Sequence, residues 1–183
     1  MTHATVGVAV AQALAPCRLR ASWSWLAAGC AMLPDADVIG FGLGIRYGDM
    51  WGHRGITHSL LFGFLLAGCV SAWFWNRIGP GERIRIALCT LLATISHGVL
   101  DAFTNGGLGV AFFAPFAEQR YFFPVTPIPV SPIGAGFFSA RGADVFAAEL
   151  AWVWIPAALV ILAARLLRCH PVPGKSRYVR GED

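Results

Sequence analysis

Apolar and polar residues fall in blocks along this chain. Apolar segments run from about His3 to Ala15, Ser22 to Leu33, Ile56 to Trp75, Ile84 to Phe103 and Val145 to Leu167. The last three are long enough, at 1.5 Å per helical residue, to cross a bilayer core of ~30 Å. The first two reach only ~20 Å as helices. They predict a short helical hairpin that enters the membrane part-way or packs against the longer helices. "GPG" (Gly79 to Gly81) marks a tight turn between the third and fourth segments. Prolines crowd the stretch "APFAEQRYFFPVTPIPVSPIG" (Ala114 to Gly134) and exclude a regular helix there. Its aromatics, with Phe112 and Phe113, suit a cover lying on the membrane face. The pattern predicts an all-α membrane helical bundle: three spanning helices plus the N-terminal hairpin. Residues 1–168 would form a single domain and residues 169–183 a basic cytoplasmic tail.

Composition supports the membrane assignment. The chain is 56% hydrophobic and 13% charged, where soluble domains carry about 25% charged residues. The net charge of +4 does not point to nucleic acid, because the basic residues form no compact stripe. Instead they cluster at Arg18 and Arg20, at Arg77, Arg83 and Arg85, and from Arg165 through Arg180. Each cluster ends or follows an apolar segment, so the positive-inside pattern assigns all three to the cytoplasmic side. Five cysteines form no CxxC pair and read as small buried hydrophobes. The N-terminal segment has an apolar core but no basic region ahead of it, so it is expected to be retained.

On this topology His3, Asp35, Asp37, His53, His58, His97 and Asp101 all fall toward the non-cytoplasmic side. Four separate elements deliver them to one level. The depths agree: His97 stands twelve residues from Arg85, or ~18 Å of helix, and His3 stands fifteen from Arg18, or ~22 Å. His97 and Asp101 are spaced i, i+4, so one helix face presents both. Ionisable groups within a membrane span are costly and functional by default. "PDAD" (Pro34 to Asp37) sets two carboxylates at a helix C-terminus, where the macrodipole opposes negative charge and something positive should compensate.

A mixed His/Asp set suits Zn²⁺ or another first-row metal better than Ca²⁺. Arg54, between two histidines, reads either as a topology anchor or as a phosphate clamp. Thr104 and Asn105 read equally as hydrogen-bond partners of the site or as a helix stop. His170 lies in the basic tail and is excluded, and Asp49 is expected to be solvated.

Four blocks, "MTHATVGVAVA", "LPDADVI", "HRGITHSLL" and "SHGVLDAFTNGG", resemble in that order the YdjM-type family of bacterial inner-membrane proteins. The family is described as LexA-regulated metal-dependent hydrolases. The resemblance covers about residues 1–135. More distantly, the family is similar to the zinc-dependent phospholipase C and P1 nuclease superfamily, helical enzymes with a three-zinc site. The resemblance implies that His3, Asp35, His53, His58, His97 and Asp101 are metal ligands, with Asp37 a ligand or an outer partner. The soluble enzymes also use a free N-terminal amine and further His/Glu ligands. With Met1 in place and no histidine between His97 and His170, one or two ions fit this chain better than three.

The expected function is a multi-pass inner-membrane metal-dependent hydrolase of phosphoesters, lipid-linked ones included, with its site toward the non-cytoplasmic side. Membrane lipids are the expected surroundings, and a phospholipid or lipid phosphate is a candidate substrate. A metal-activated water would attack, Asp37 or Asp101 would accept its proton, and Arg54 would hold the phosphate oxygens. The alternative is a non-enzymatic metal-binding membrane protein or a transporter. The cytoplasmic halves of the long segments carry no ionisable path beyond Arg85, which favours a one-sided pocket.

Overall fold

The computed structural model describes residues 2–130 and 139–168. The expected tail, with Cys169, His170, Lys175, Arg177 and Arg180, lies outside the described residues, as does the end of the proline-rich stretch. The described chain is all-α: α1 (Thr2–Leu14), α2 (Arg20–Met32), a short α3 (Ile39–Gly42), α4 (Leu60–Trp73), α5 (Pro80–Ala102), α6 (Ala140–Glu149) and α7 (Ile155–Arg168). A π-helical turn, Leu150–Trp154, joins α6 to α7 without a break. Pro156 explains that turn: it offers no N–H to the carbonyl four residues back, and a wider turn relieves the clash of its ring.

Two of the expected spans reach membrane length, Pro80–Ala102 and Ala140–Leu167. The segment expected over 56–75 gives a helix of only 14 residues, or ~21 Å. Its first residues are spent on a 3-10 turn, Ile56–His58. Ser59 then adopts extended backbone and its Oγ accepts from Phe62 N at 3.1 Å, which caps α4 at Leu60. The chain gives up a full-length span here to aim His58 inward.

The hairpin α1–α2 packs against α5 through small residues. Gly7, Ala11 and Ala15 repeat every four residues along one face of α1, and Ala11 and Ala15 join Ala27, Ala31 and Ala93 in the core. A Cβ at Gly7 would sit 2.5 Å from the Ala27 carbonyl oxygen. Small residues let membrane helices approach this closely. Trp23, Ile86 and Cys89 fill the core beneath.

The basic turns share one end of the bundle. Arg18 in the α1–α2 turn bonds Glu82 at the start of α5 at 2.6 Å. Arg20 donates to the Ala164 carbonyl near the end of α7 at 3.1 Å. Arg77 and Arg83 lie over the rings of Trp73 and Trp75, an arrangement suited to a headgroup layer.

At the opposite end the stretch from Thr104 to Val130 folds without regular structure. It caps α5 and the loop ahead of α4. Phe123 N bonds the Ala102 carbonyl, Leu60 N bonds that of Phe112, and Ala111 N bonds that of Arg54.

Candidate metal centre

Each expected ligand reaches the centre for a local reason. His3 stands in the first turn of α1, and its ring stacks on His97 with centroids 3.7 Å apart. Asp35 and Asp37 lie on the 3-10 turn Leu33–Val38 that follows α2, where Pro34 takes an early position that needs no N–H donor. His53 and His58 come from the turn-rich loop between α3 and α4, their rings 5.4 Å apart. His97 and Asp101 share the inner face of α5. Gly98 between them lets His58 approach: a Cβ there would lie 2.9 Å from the His58 carbonyl oxygen.

The seven residues form one cluster. His97 Nε2 lies 3.3 Å from Asp35 Oδ1 and 3.6 Å from Asp101 Oδ2. His58 Nε2 lies 3.4 Å from Asp101 Oδ2 and 4.0 Å from Asp35 Oδ1. His3 Nε2 lies 3.6 Å from Asp101 Oδ1. Three sets of donor atoms are each close enough together to hold an ion: His58, His97 and Asp101; His3, Asp35 and His97; and Asp35, His53 and His58.

Hydrogen bonds fix how these groups face. His97 Nδ1 donates to the Ala31 carbonyl at 2.7 Å, which leaves Nε2 as a lone pair turned into the cluster. His53 Nδ1 contacts Asp37 Oδ1 at 2.8 Å, and His58 Nδ1 lies 3.3 Å from Asp37 Oδ2. Thr57 Oγ1 donates to Asp37 Oδ2 at 2.7 Å. Asp37 therefore engages both its oxygens with these neighbours and orients two imidazoles. Burial pushes its carboxyl up, but the bonds from His53, His58 and Thr57 outweigh that and hold it well below the usual carboxylate range. Burial likewise raises Asp35, and the hydrogen bond and charge of His97 bring it below its ordinary value.

Arg54, which its sequence context leaves as a topology anchor or a phosphate clamp, turns inward. Its side chain is buried. Nη1 donates to the Gly106 carbonyl at 2.7 Å and Nη2 to Thr104 Oγ1 at 3.1 Å. Nε lies 3.1 Å from Asp101 Oδ2. The backbone turns left-handed at Arg54, φ 62°, a conformation rare for a non-glycine residue. Thr104 also donates to the Asp101 carbonyl at 2.7 Å, so it both ends α5 and supports the site. Asn105 instead accepts from Val130 N and pins the cover.

Among the described residues, His58 Nε2 and His97 Nε2 are buried and make no hydrogen bond, and Asp101 Oδ2 beside them has only its ion pair with Arg54. Polar atoms stranded together in this way call for a partner. Three carboxylates against one guanidinium leave two negative charges when the imidazoles are neutral. These groups could hold a divalent cation, which would answer both the buried donor atoms and the charge.

Two contributors escape a reading of the sequence. Thr57 is an ordinary neighbour of His58, and nothing in its context marks it. Arg120 carries a signal: it is a basic residue outside the three basic clusters. It reaches back across the loop, with Nη1 donating to the His53 carbonyl at 3.0 Å and Nη2 to that of Asp49 at 3.2 Å.

The profile of the YdjM inner membrane protein family matches residues 1–169. The chain belongs to that family. It is similar to the inner membrane protein YbcI of Escherichia coli (strain K12), 39% identical over 168 residues that cover 88% of this chain and 93% of that protein. No solved structure matches the chain. As a YdjM-family member with two helices of spanning length, it is an inner-membrane protein. All four blocks that carry the cluster lie within the matched residues.

Proposed function

We propose that this YdjM-family protein is a membrane-bound metal-dependent hydrolase of phosphoesters. The observation that carries the reading is the convergence of the buried, unbonded His58 Nε2 and His97 Nε2 on Asp101 Oδ2, which Arg54 pairs from one side, beside the half-exposed Asp35. The cluster is closed on its inner side and open on one edge, as a catalytic site requires.

His58, His97 and Asp101 would hold the ion, with Asp35, His3 and His53 completing its surroundings or those of a second ion. Zn²⁺ suits the donors best. A divalent ion in this place supplies Lewis acidity toward a phosphoryl oxygen and makes water acidic near neutral pH. The chain's own groups do the rest. Asp37 keeps two imidazoles aimed inward. Arg54 holds Asp101 and offsets part of the charge. Asp35, the carboxylate at the open edge, is placed to accept a proton from water. Asp37 has both oxygens engaged and is a poorer base.

The core beneath the cluster is apolar, with Ala11, Ala27, Ile86, Cys89 and Ala93. That supports a pocket entered from one end over a transport path. The basic turns at the other end support a cytoplasmic assignment for that end and a non-cytoplasmic one for the site.

The test is purified protein in detergent, loaded with Zn²⁺ or Mn²⁺ and screened on phosphomonoesters and phosphodiesters. Turnover that disappears in His97→Ala and Asp101→Ala supports the proposal. Stoichiometric metal with no turnover on either class would leave a non-enzymatic metal protein instead.

A further inference from the structure

The most open member of the cluster has apolar surroundings. The Asp35 side chain is 47% exposed, yet the exposed side chains near it in sequence are Met32, Leu33, Val38 and Ile39. A mouth rimmed by exposed apolar groups is suited to a membrane interface rather than to open water.

A groove is lined in part by residues close in sequence to that edge. It has a volume of about 600 Å³ and runs between α1 and α2. Ala4, next in sequence to His3, and Met32, three residues before Asp35, line it toward the cluster. Val8, Ala28 and Trp25 line it further along. From Ala4 to Gln12, which also lines it, the groove follows eight residues of α1, or ~12 Å. There Gln12 Nε2 donates to Ser24 Oγ at 3.0 Å. Trp154, from the π-helical turn, forms one wall, and its indole donates to Thr2 Oγ1 at 3.4 Å, beside His3.

We infer that this α1–α2 groove holds the hydrocarbon tail of an amphiphilic phosphate ligand whose head meets the metal cluster at Asp35. The inference rests on the hydrolase reading for the head and on the apolar rim and groove for the tail. A charged head and an apolar tail need this pairing of surfaces: polar donors at one end, small apolar side chains along the path. A second apolar groove, between α1, α5 and α7, is less suited. The residue of its lining nearest in sequence to the cluster is Leu100, beside the buried Asp101, and none of its lining neighbours Asp35 in sequence.

The test uses the full chain, loaded with Zn²⁺, in phosphatidylcholine vesicles. The probe is a long-chain alkyl phosphate carrying a diazirine at mid-chain. After irradiation, label is mapped by mass spectrometry. Label on Val8, Trp25 or Ala28, displaced by unlabelled long-chain phosphate but not by glycerol phosphate, supports the groove. Ala28→Trp should fill it and abolish that label while metal content stays at the wild-type level. Label spread evenly over α4 and α7, or concentrated at Leu92 and Val160 of the second groove, overturns the inference. Because the wild-type map decides the question, a variant that fails to fold does not. Groove labelling without turnover on any phosphoester would sink the hydrolase reading and keep the groove. Turnover on soluble phosphoesters with evenly spread label would do the reverse.

Discussion

His97 on α5 donates its Nδ1 proton to the carbonyl oxygen of Ala31, 2.7 Å away in the last turn of α2. One helix end thus selects the tautomer of an imidazole on another helix. The nitrogen left over, Nε2, is buried and unbonded. In the proposed metal site it is a ligand atom already in place.

His97→Ala should therefore lose the metal. Outer partners of metal ligands are worth about 10–100-fold in affinity, and removal of the ligand itself should exceed that. Metal content after gel filtration, against wild type, reads the effect. Full occupancy in the variant would remove His97 from the site.

Asp37→Asn should weaken the metal by ~10–100-fold, as expected for an outer partner, and less than Asp101→Ala does. Asn keeps one acceptor but loses the charge that two imidazoles share. The metal-free protein should also show a pH effect. The folded-state value of Asp37 is depressed, so its contribution to stability is present above the unfolded carboxylate value of ~3.9. It is lost as pH falls below that and through the lower folded value. The Tm gap between wild type and Asp37→Asn should be full at pH 6 and narrow below ~4. A gap that widened on acidification would contradict the assigned bonds.

Arg54 combines a left-handed backbone with a buried side chain paired to Asp101. Arg54→Ala and Arg54→Gly both remove the guanidinium and leave the buried Asp101 carboxylate with only imidazole neighbours, a loss of up to about 3–5 kcal/mol. They differ in the backbone. Alanine retains the left-handed penalty and glycine escapes it, so the glycine variant should be more stable by ~1 kcal/mol. Thermal unfolding in detergent compares the two. An alanine variant of equal or higher Tm would show that the strain carries no weight.

The cluster is legible in the sequence because its signals are short-range and expensive to fake. Ionisable groups in apolar runs stand out, and the basic turns alone assign them a common end. Arg18–Glu82 and Arg20–Ala164 bear out the shared end of those turns. What the sequence hides depends on long-range contacts. The apolar pattern overstates the length of α4 because Ile56 reads as the start of the run that resumes at Leu60, while Thr57, His58 and the Ser59 cap between them hold the chain in a 3-10 turn. The facing of Arg54 stays open in the sequence because spacing says nothing about where a guanidinium turns. Its partners, Thr104 and Gly106, lie about fifty residues on. Asp37 looks interchangeable with Asp35. They differ only in facing: one is enclosed by His53, His58 and Thr57, the other opens outward.

Arg120 holds the ligand loop from outside. Its guanidinium reaches the carbonyls of Tyr47, Gly48, Asp49, His53 and Gly109 at 3.0 to 3.5 Å. No carboxylate is among these partners, so the planar fork, more than the charge, matches the array. Arg120→Ala should free the loop from residue 46 to 58 and lower metal affinity by ~10-fold, at the low end of outer-partner effects. Arg120→Lys should rescue little, because an ammonium is a compact point charge that cannot span separate carbonyls. Hydrogen exchange of the loop amides should rise in both variants while α5 amides stay protected. The Co²⁺-loaded protein gives an independent reading, since displacement of His53 or His58 alters the visible absorption of the ion. Unchanged exchange and an unchanged Co²⁺ spectrum in Arg120→Ala would show that the loop is held by its own turns, Gly52 and Gly55 included, and that the proline-rich cover only lies over it.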